Sequence, residues 1–264
     1  MLEAEIKGKL PEVQRREDIL TSNVFGLLKY VRNNIPVLSI LDHAKTLCGR
    51  KFRDCINVKL EDYEVKEYCF WERLGIYGEP DLIIKFKRRD GVGGELSLCV
   101  EVKYYGVKNG EGEDDQLRRY FQGMTDSLNE SRFLGIIYLT KYPSSEELKD
   151  SLKCIKDKCL GEATNKLFQL RWFEVTSALD KCSLKLTDDY DKNIVKDIVG
   201  YLKHKNFVEF TGFTFPKDRQ EQCFRTSDRF YLVATTHFTG FSYTRNDFNT
   251  KVIGKIYYRG RNEQ

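Results

Sequence analysis

The chain has 264 residues, of which 41% are hydrophobic and 32% charged, with a formal net charge of +4. That length accommodates one large domain or a catalytic domain with an appended part, and the composition is that of a soluble globular protein. No run of about 18 apolar residues offers a membrane span, and Met1 to Lys9 lacks the apolar stretch of a secretory signal, so a cytoplasmic location without membrane contact is expected. The small positive charge permits nucleic-acid binding without demanding it.

Leu20, Val24, Leu27, Leu28 and Val31 recur at helical spacing, which predicts a helix over 17–32 stopped by Asn33, Asn34 and Pro36. Glu17 lies on the same stripe, where a carboxylate is commonly a solvated end residue. A second helical stretch is expected near 37–53. Residues 63–74 and 81–86 are rich in aromatic and aliphatic side chains, as strands are. The segment Arg88 to Gly94 supplies a turn around Asp90-Gly91, and 95–105 returns as the partner strand. A glycine- and acid-rich loop over 106–114 leads into a helix over 115–128, with Leu117, Phe121, Met124 and Leu128 as its apolar stripe. The apolar run 133–140 reads as a buried strand reached by a crossover to the same sheet.

Beyond it, Pro143-Ser144-Ser145 looks like the capped start of a helix carrying Leu148, Leu152 and Ile155. A strand over 167–175 and a helix over 189–203 follow. From Asn206 the texture changes to short aromatic strands broken by polar turns. The expected architecture is α/β in the broad sense, an α+β core in residues 1–145 with a mixed central sheet flanked by helices. Residues 146–264 form a helical and aromatic, β-rich extension that packs on the core or binds substrate. The eight cysteines include no CxxC pair and no histidine at zinc spacing, so reduced, buried thiols are expected.

The acids around the hairpin carry the chemistry. Strands joined by a hairpin place residues equidistant from the turn opposite one another. With Gly91 as midpoint, Asp81 lies ten residues before it and Glu101 ten after, so the two carboxylates face each other at the end remote from the turn. Lys103 follows Glu101 by two and shares its face. Two converging carboxylates with a lysine suit a hard cation, Mg²⁺ or Mn²⁺, whose remaining ligands are phosphate oxygens and water. The plain alternative is a solvated cross-strand pair beside a salt bridge. Against it, Glu101 interrupts the apolar run Leu96, Leu98, Cys99, Val100, and like charges opposed across strands repel unless a cation lies between them.

Pro80-Asp81, a hairpin, then Glu101-Val102-Lys103 and a helix resemble the PD-(D/E)xK nuclease superfamily, which includes many restriction endonucleases and the RecB-type and lambda-type exonucleases. The resemblance covers about residues 15 to 140 and implies a restriction endonuclease-like αβββαβ core. It also implies that Asp81 and Glu101 ligate metal together with the Val102 carbonyl, and that Lys103 orients or activates the hydrolytic water. Gln116 and Tyr120, four apart on one helix face, match the Gln-x-x-x-Tyr element of the RecB-like members, which contacts DNA or positions the site. A glutamate from the first helix often joins the metal in that family; Glu17 matches, with Asp18 as the neighbouring alternative.

The implied function is Mg²⁺- or Mn²⁺-dependent hydrolysis of phosphodiester bonds in DNA, with RNA left open and a homodimer allowed, in restriction, repair or phage defence. The competing reading is a catalytically silent nuclease-like module that binds nucleic acid or a protein partner. Lys85, Lys87, Arg118 and Arg119 are the candidate phosphate contacts, the two arginines being better placed than the hairpin-tip lysines. The tail from Asn206, with nine basic and six acidic residues among its aromatics, is more simply a β core than a base-stacking surface.

Overall fold

The computed structural model describes residues 16–104, 108–127, 132–142, 144–209, 241–242 and 257–258. Two units divide the chain, Met1–Glu209 and Phe210–Gln264.

In the first unit, helix α1 (Arg16–Leu28) buries Leu20, Val24, Phe25 and Leu28. It ends earlier than the apolar stripe through Val31 predicts. The Tyr30 and Val31 N–H groups bond to carbonyls only three residues back, which tightens and closes the last turn. Pro36 stands in the first turn of α2 (Ile35–Leu41), where its missing N–H costs nothing. The helix expected over 37–53 is broken after Leu41 and resumes only as the single turn α3 (Phe52–Cys55). Between them Lys45 donates to the Gln169 carbonyl at 3.1 Å and accepts from the Gln169 N–H at 2.8 Å. A tertiary bridge has overridden local helical preference there.

Five strands form one mixed sheet: β1 (Tyr63–Phe70), β2 (Leu82–Arg88), β3 (Leu96–Lys103), β4 (Arg132–Thr140) and β5 (Leu167–Arg171), in that spatial order. The first three are mutually antiparallel, and β3, β4 and β5 run parallel. Parallel neighbours need crossovers. Helix α4 (Gln116–Ser127) joins β3 to β4, and α5 (Ser145–Lys166) joins β4 to β5. The chain is therefore a mixed α/β protein with helices on both faces of a mixed sheet. Leu82, Ile84, Leu98, Val100 and Val102 face a core completed by α1, α2 and two later helices, α6 (Trp172–Ser183) and α7 (Asp189–His204). Ile83, Cys99, Ile136 and Tyr138 face the opposite core with α4 and α5.

The strand expected over 167–175 stops at Arg171, where α6 begins. Glu174 reaches back to the Arg171 N–H at 2.9 Å, and Trp172, Val175, Thr176, Leu179 and Cys182 are buried at helical spacing. Ser144 occupies the N-cap of α5, but its side chain makes no capping bond, contrary to the expected cap, and its Oγ is buried without a partner. Because β5 and α5 to α7 belong to the first unit, the division of the chain falls at 209/210, and residues 146–209 extend the core. Among the described cysteines, Cys99 and Cys182 are buried free thiols while Cys48 is exposed. In the second unit β6 (Phe241–Ser242) pairs antiparallel with β7 (Tyr257–Tyr258). The tail aromatics Phe213, Phe215, Phe224, Phe230, Tyr231 and Tyr243 are among those that lie outside the described residues. No helix of the described residues is long and apolar enough to cross a membrane.

Candidate active site

The hairpin that opens the site is closed by Gly91, whose φ of 71° only glycine adopts freely, and by Asp90, which accepts the Val92 N–H at 2.9 Å. From this turn the register runs Phe86 opposite Leu96 to Leu82 opposite Val100. One further step places Asp81 opposite Glu101, as the symmetry about Gly91 predicts. Two bonds fix Asp81 at this end: its carbonyl accepts the Trp71 N–H at 3.3 Å and its Oδ2 accepts the Val102 N–H at 2.8 Å.

All eight residues of β3 are buried. Glu101 is 1% exposed and Lys103 8%. Lys103 Nζ lies 2.7 Å from Glu101 Oε1 and 3.9 Å from Glu17 Oε2, so the lysine is shared between the sheet and α1. Glu17 Oε1 accepts the Tyr104 N–H at 2.8 Å, which anchors the start of α1 to the end of β3. The other oxygen of Glu101, Oε2, is buried without a hydrogen-bond partner. An unpartnered buried carboxylate oxygen is costly, so this atom needs an account.

Electrostatics follow from burial. Desolvation and the neighbouring Asp81 push the Glu101 carboxyl up to about 8. Desolvation also raises Asp81, against its bond from Val102 and the charge of Lys103, and Glu17 and Asp18 add to the rise. Burial pulls the Lys103 ammonium down, but Glu101 and Glu17 outweigh it and hold it above the ordinary lysine value. The picture is one lysine cation facing two opposed acids, of which Glu101 holds its proton at neutral pH.

Helix α4 closes the far side. Gln116 Nε2 donates to the Tyr120 hydroxyl at 2.9 Å, and that hydroxyl donates to the Glu79 carbonyl at 2.9 Å. Gln116 Oε1 in turn accepts the Asn109 N–H at 3.1 Å. The pair therefore straps the segment before Asp81 to the loop before α4. Gly78, at φ 109°, completes the fit, since a Cβ there would stand 3.1 Å from the Tyr120 ring.

The sequence reading did not single out the residues that hold α4. Asp115 is fully buried at the helix start, accepts the Arg118 N–H at 2.9 Å and the Ser151 hydroxyl at 3.0 Å, and pairs with Lys108. An aspartate before a helical stripe is a cap signal; the buried lysine and serine are not legible from spacing. Tyr138, in register with Glu101 on β4 and fully buried, bonds Glu147 of α5 behind the acid.

The candidate phosphate contacts are placed unevenly. Lys85 pairs with Glu72 at 3.1 Å and Lys87 with Glu64 at 3.0 Å, as cations on β2 facing acids of and just beyond β1. Arg118 lies 3.7 Å from Glu113. Arg119 stands beside Gly78 and Tyr120, with its Nε buried and unpartnered.

Asp81, Glu101 and Lys103 thus meet at the open end of a hairpin in an α/β protein, with Glu17, Gln116 and Tyr120 around them. No family model, curated protein or solved structure matches the chain.

Proposed function

We propose that the chain is a divalent-metal-dependent nuclease that hydrolyses phosphodiester bonds in DNA, built on a restriction endonuclease-like core. The observation that carries this reading is Glu101 Oε2: a buried acidic oxygen without a partner, on a carboxyl opposed to Asp81 and beside a lysine. The residues fit a hard cation. Asp81, Glu101 and the Val102 carbonyl offer the oxygen ligands that Mg²⁺ or Mn²⁺ prefers, and a cation would replace the proton that Glu101 holds at neutral pH. When bound, such an ion lends Lewis acidity to a phosphodiester and lowers the pKa of a coordinated water.

The protein's own groups divide the remaining work. Lys103 stays protonated because acids flank it, so it orients the attacking water and opposes the charge that develops on phosphate rather than accepting a proton. Glu17 holds Lys103 from α1 and secures the Tyr104 backbone. Tyr120, tied to Gln116, pins the carbonyl two residues before Asp81 and so positions the acid rather than touching substrate. Arg119 and Arg118 on α4 are candidate cations for flanking phosphates.

A second reading, an enzymatically silent module that binds nucleic acid or a protein, is favoured by one observation. Among the described residues no group of three or more histidines, cysteines, aspartates and glutamates assembles that could hold a metal. Cleavage of linear, circular and single-stranded DNA with Mg²⁺ or Mn²⁺, beside Asp81→Ala and Lys103→Ala, separates the two. Metal-dependent cleavage lost in both variants supports the nuclease; no cleavage with either metal, or equal cleavage in the variants, leaves the binding module.

A further inference from the structure

A cavity of about 390 Å³ opens between α1 and the end of β1, lined by Ser22, Gly26, Lys29, Tyr30, Phe70 and Trp71 among others. It lies within the size range of small-molecule sites. Its chemistry is selective: three aromatic rings, short polar side chains, one lysine and no carboxylate. Phe70 and Trp71 stand with ring centroids 5.6 Å apart, tilted at 43°. Trp71 holds φ 51°, a left-handed backbone that a bulky residue rarely adopts, and is 38% exposed. Lys29 Nζ lies 5.0 Å over the Tyr30 ring, itself exposed.

Two links tie the walls of the cavity to the candidate active site. Trp71 donates its N–H to the Asp81 carbonyl, one peptide from the acid. Along α1, Asp18, Ser22 and Gly26 follow at steps of four and so share one face, and Tyr30 stands in the turn just past the helix end. The Asp18 end of that stripe acts on the Asp81 carboxyl, while the rest lines the cavity. An exposed indole, a cation and no anion beside a phosphodiester site match one ligand chemistry, a flat base carried on a phosphate backbone.

We propose that this cavity takes one unpaired nucleobase of the strand that runs past Asp81, stacked on the Trp71 ring with its phosphate met by Lys29, so that the substrate is single-stranded or frayed at the point of cleavage. The proposal rests on the nuclease reading and gives it a substrate class. Gly26 offers an independent test, because a Cβ added there meets nothing within 4 Å. A larger side chain fills the cavity while replacing the poorest helix former short of proline.

The experiment uses the full chain in chelator, so that nothing is cut. Affinity is measured by fluorescence anisotropy for a short single-stranded oligodeoxynucleotide and for an abasic strand of the same length. Wild type binds the base-bearing strand more tightly; Trp71→Ala and Gly26→Leu each weaken that binding about tenfold, the effect of one stacked base, and leave the abasic strand unchanged. Trp71→Phe restores most of the loss. Equal wild-type affinity for the two strands, no effect of either variant, or equal losses on both strands overturns the pocket. Cleavage by wild type and Asp81→Ala, run in parallel with Mg²⁺, keeps the two readings apart. Asp81-dependent cutting without base selectivity removes the pocket alone, and base selectivity without Asp81-dependent cutting removes the nuclease alone.

Discussion

The two ends of the β2–β3 hairpin carry the same residue types in opposite surroundings. At the turn, Lys87 pairs with Glu64 and Arg88 with Asp90, all with side chains well exposed to water. At the open end, Glu101 and Lys103 form a pair of similar length with side chains only 2% and 10% exposed. Water screens the first set, so each pair is worth a few tenths of a kcal/mol, and their loss is tolerated. The second set has been taken out of water into surroundings where each charge costs several kcal/mol, so the Glu101 carboxyl is pushed up to about 8. A pattern of charges becomes a candidate site through burial, not through composition.

The comparison is broken most severely by cleavage assays. Asp81→Ala, Glu101→Ala and Lys103→Ala each lower the cleavage rate with Mg²⁺ or Mn²⁺ by about 10²-fold or more, as loss of one preorganised charge does. Lys87→Ala at the turn changes it less than about twofold. Comparable losses at both ends would remove the distinction.

Proton linkage sharpens it next. Glu101 has its folded value raised to about 8 from an unfolded value of about 4.3. Its contribution to stability is therefore complete below the unfolded value and lost as pH rises through the folded one. Metal-free protein should lose Tm between about pH 5 and 8, with Glu101→Gln flattening the profile. If the site takes Mg²⁺ as proposed, binding near neutral pH should release a proton, and apparent affinity measured by calorimetry should rise toward pH 8. A pH-independent affinity would contradict a proton held on Glu101.

Smaller effects probe the strap. Gly78→Ala meets both a φ of 109° and the Tyr120 ring, and should cost about 1–2 kcal/mol in denaturant unfolding. Tyr120→Phe loses the bond to the Glu79 carbonyl, about 1 kcal/mol, and should lower kcat several-fold with KM nearly unchanged. A KM effect alone would make Tyr120 a substrate contact. Glu64→Ala at the turn should move stability by less than about 0.5 kcal/mol.

Much of this arrangement is legible in the chain itself. The symmetry about Gly91 determines that Asp81 opposes Glu101, and strand alternation puts Lys103 beside it, because period and register are local properties of backbone geometry. The apolar run 133–140 announces a strand buried on both faces, and the Gln116–Tyr120 spacing announces a shared helix face. Tertiary structure decided the rest. The bridge from Lys45 to Gln169 broke an expected helix, and the Glu174 reach to Arg171 cut an expected strand short where α6 begins, since the partners that decided these elements lie far away in sequence or look like any other glutamate. That Glu101 Oε2 is left without a partner, that Asp115 anchors α4 through Lys108 and Ser151, and that Trp71 lines a cavity beside Asp81 depend on packing between elements. Residue types and spacing set which charges can meet; only burial sets what their meeting costs, and so where chemistry can be expected.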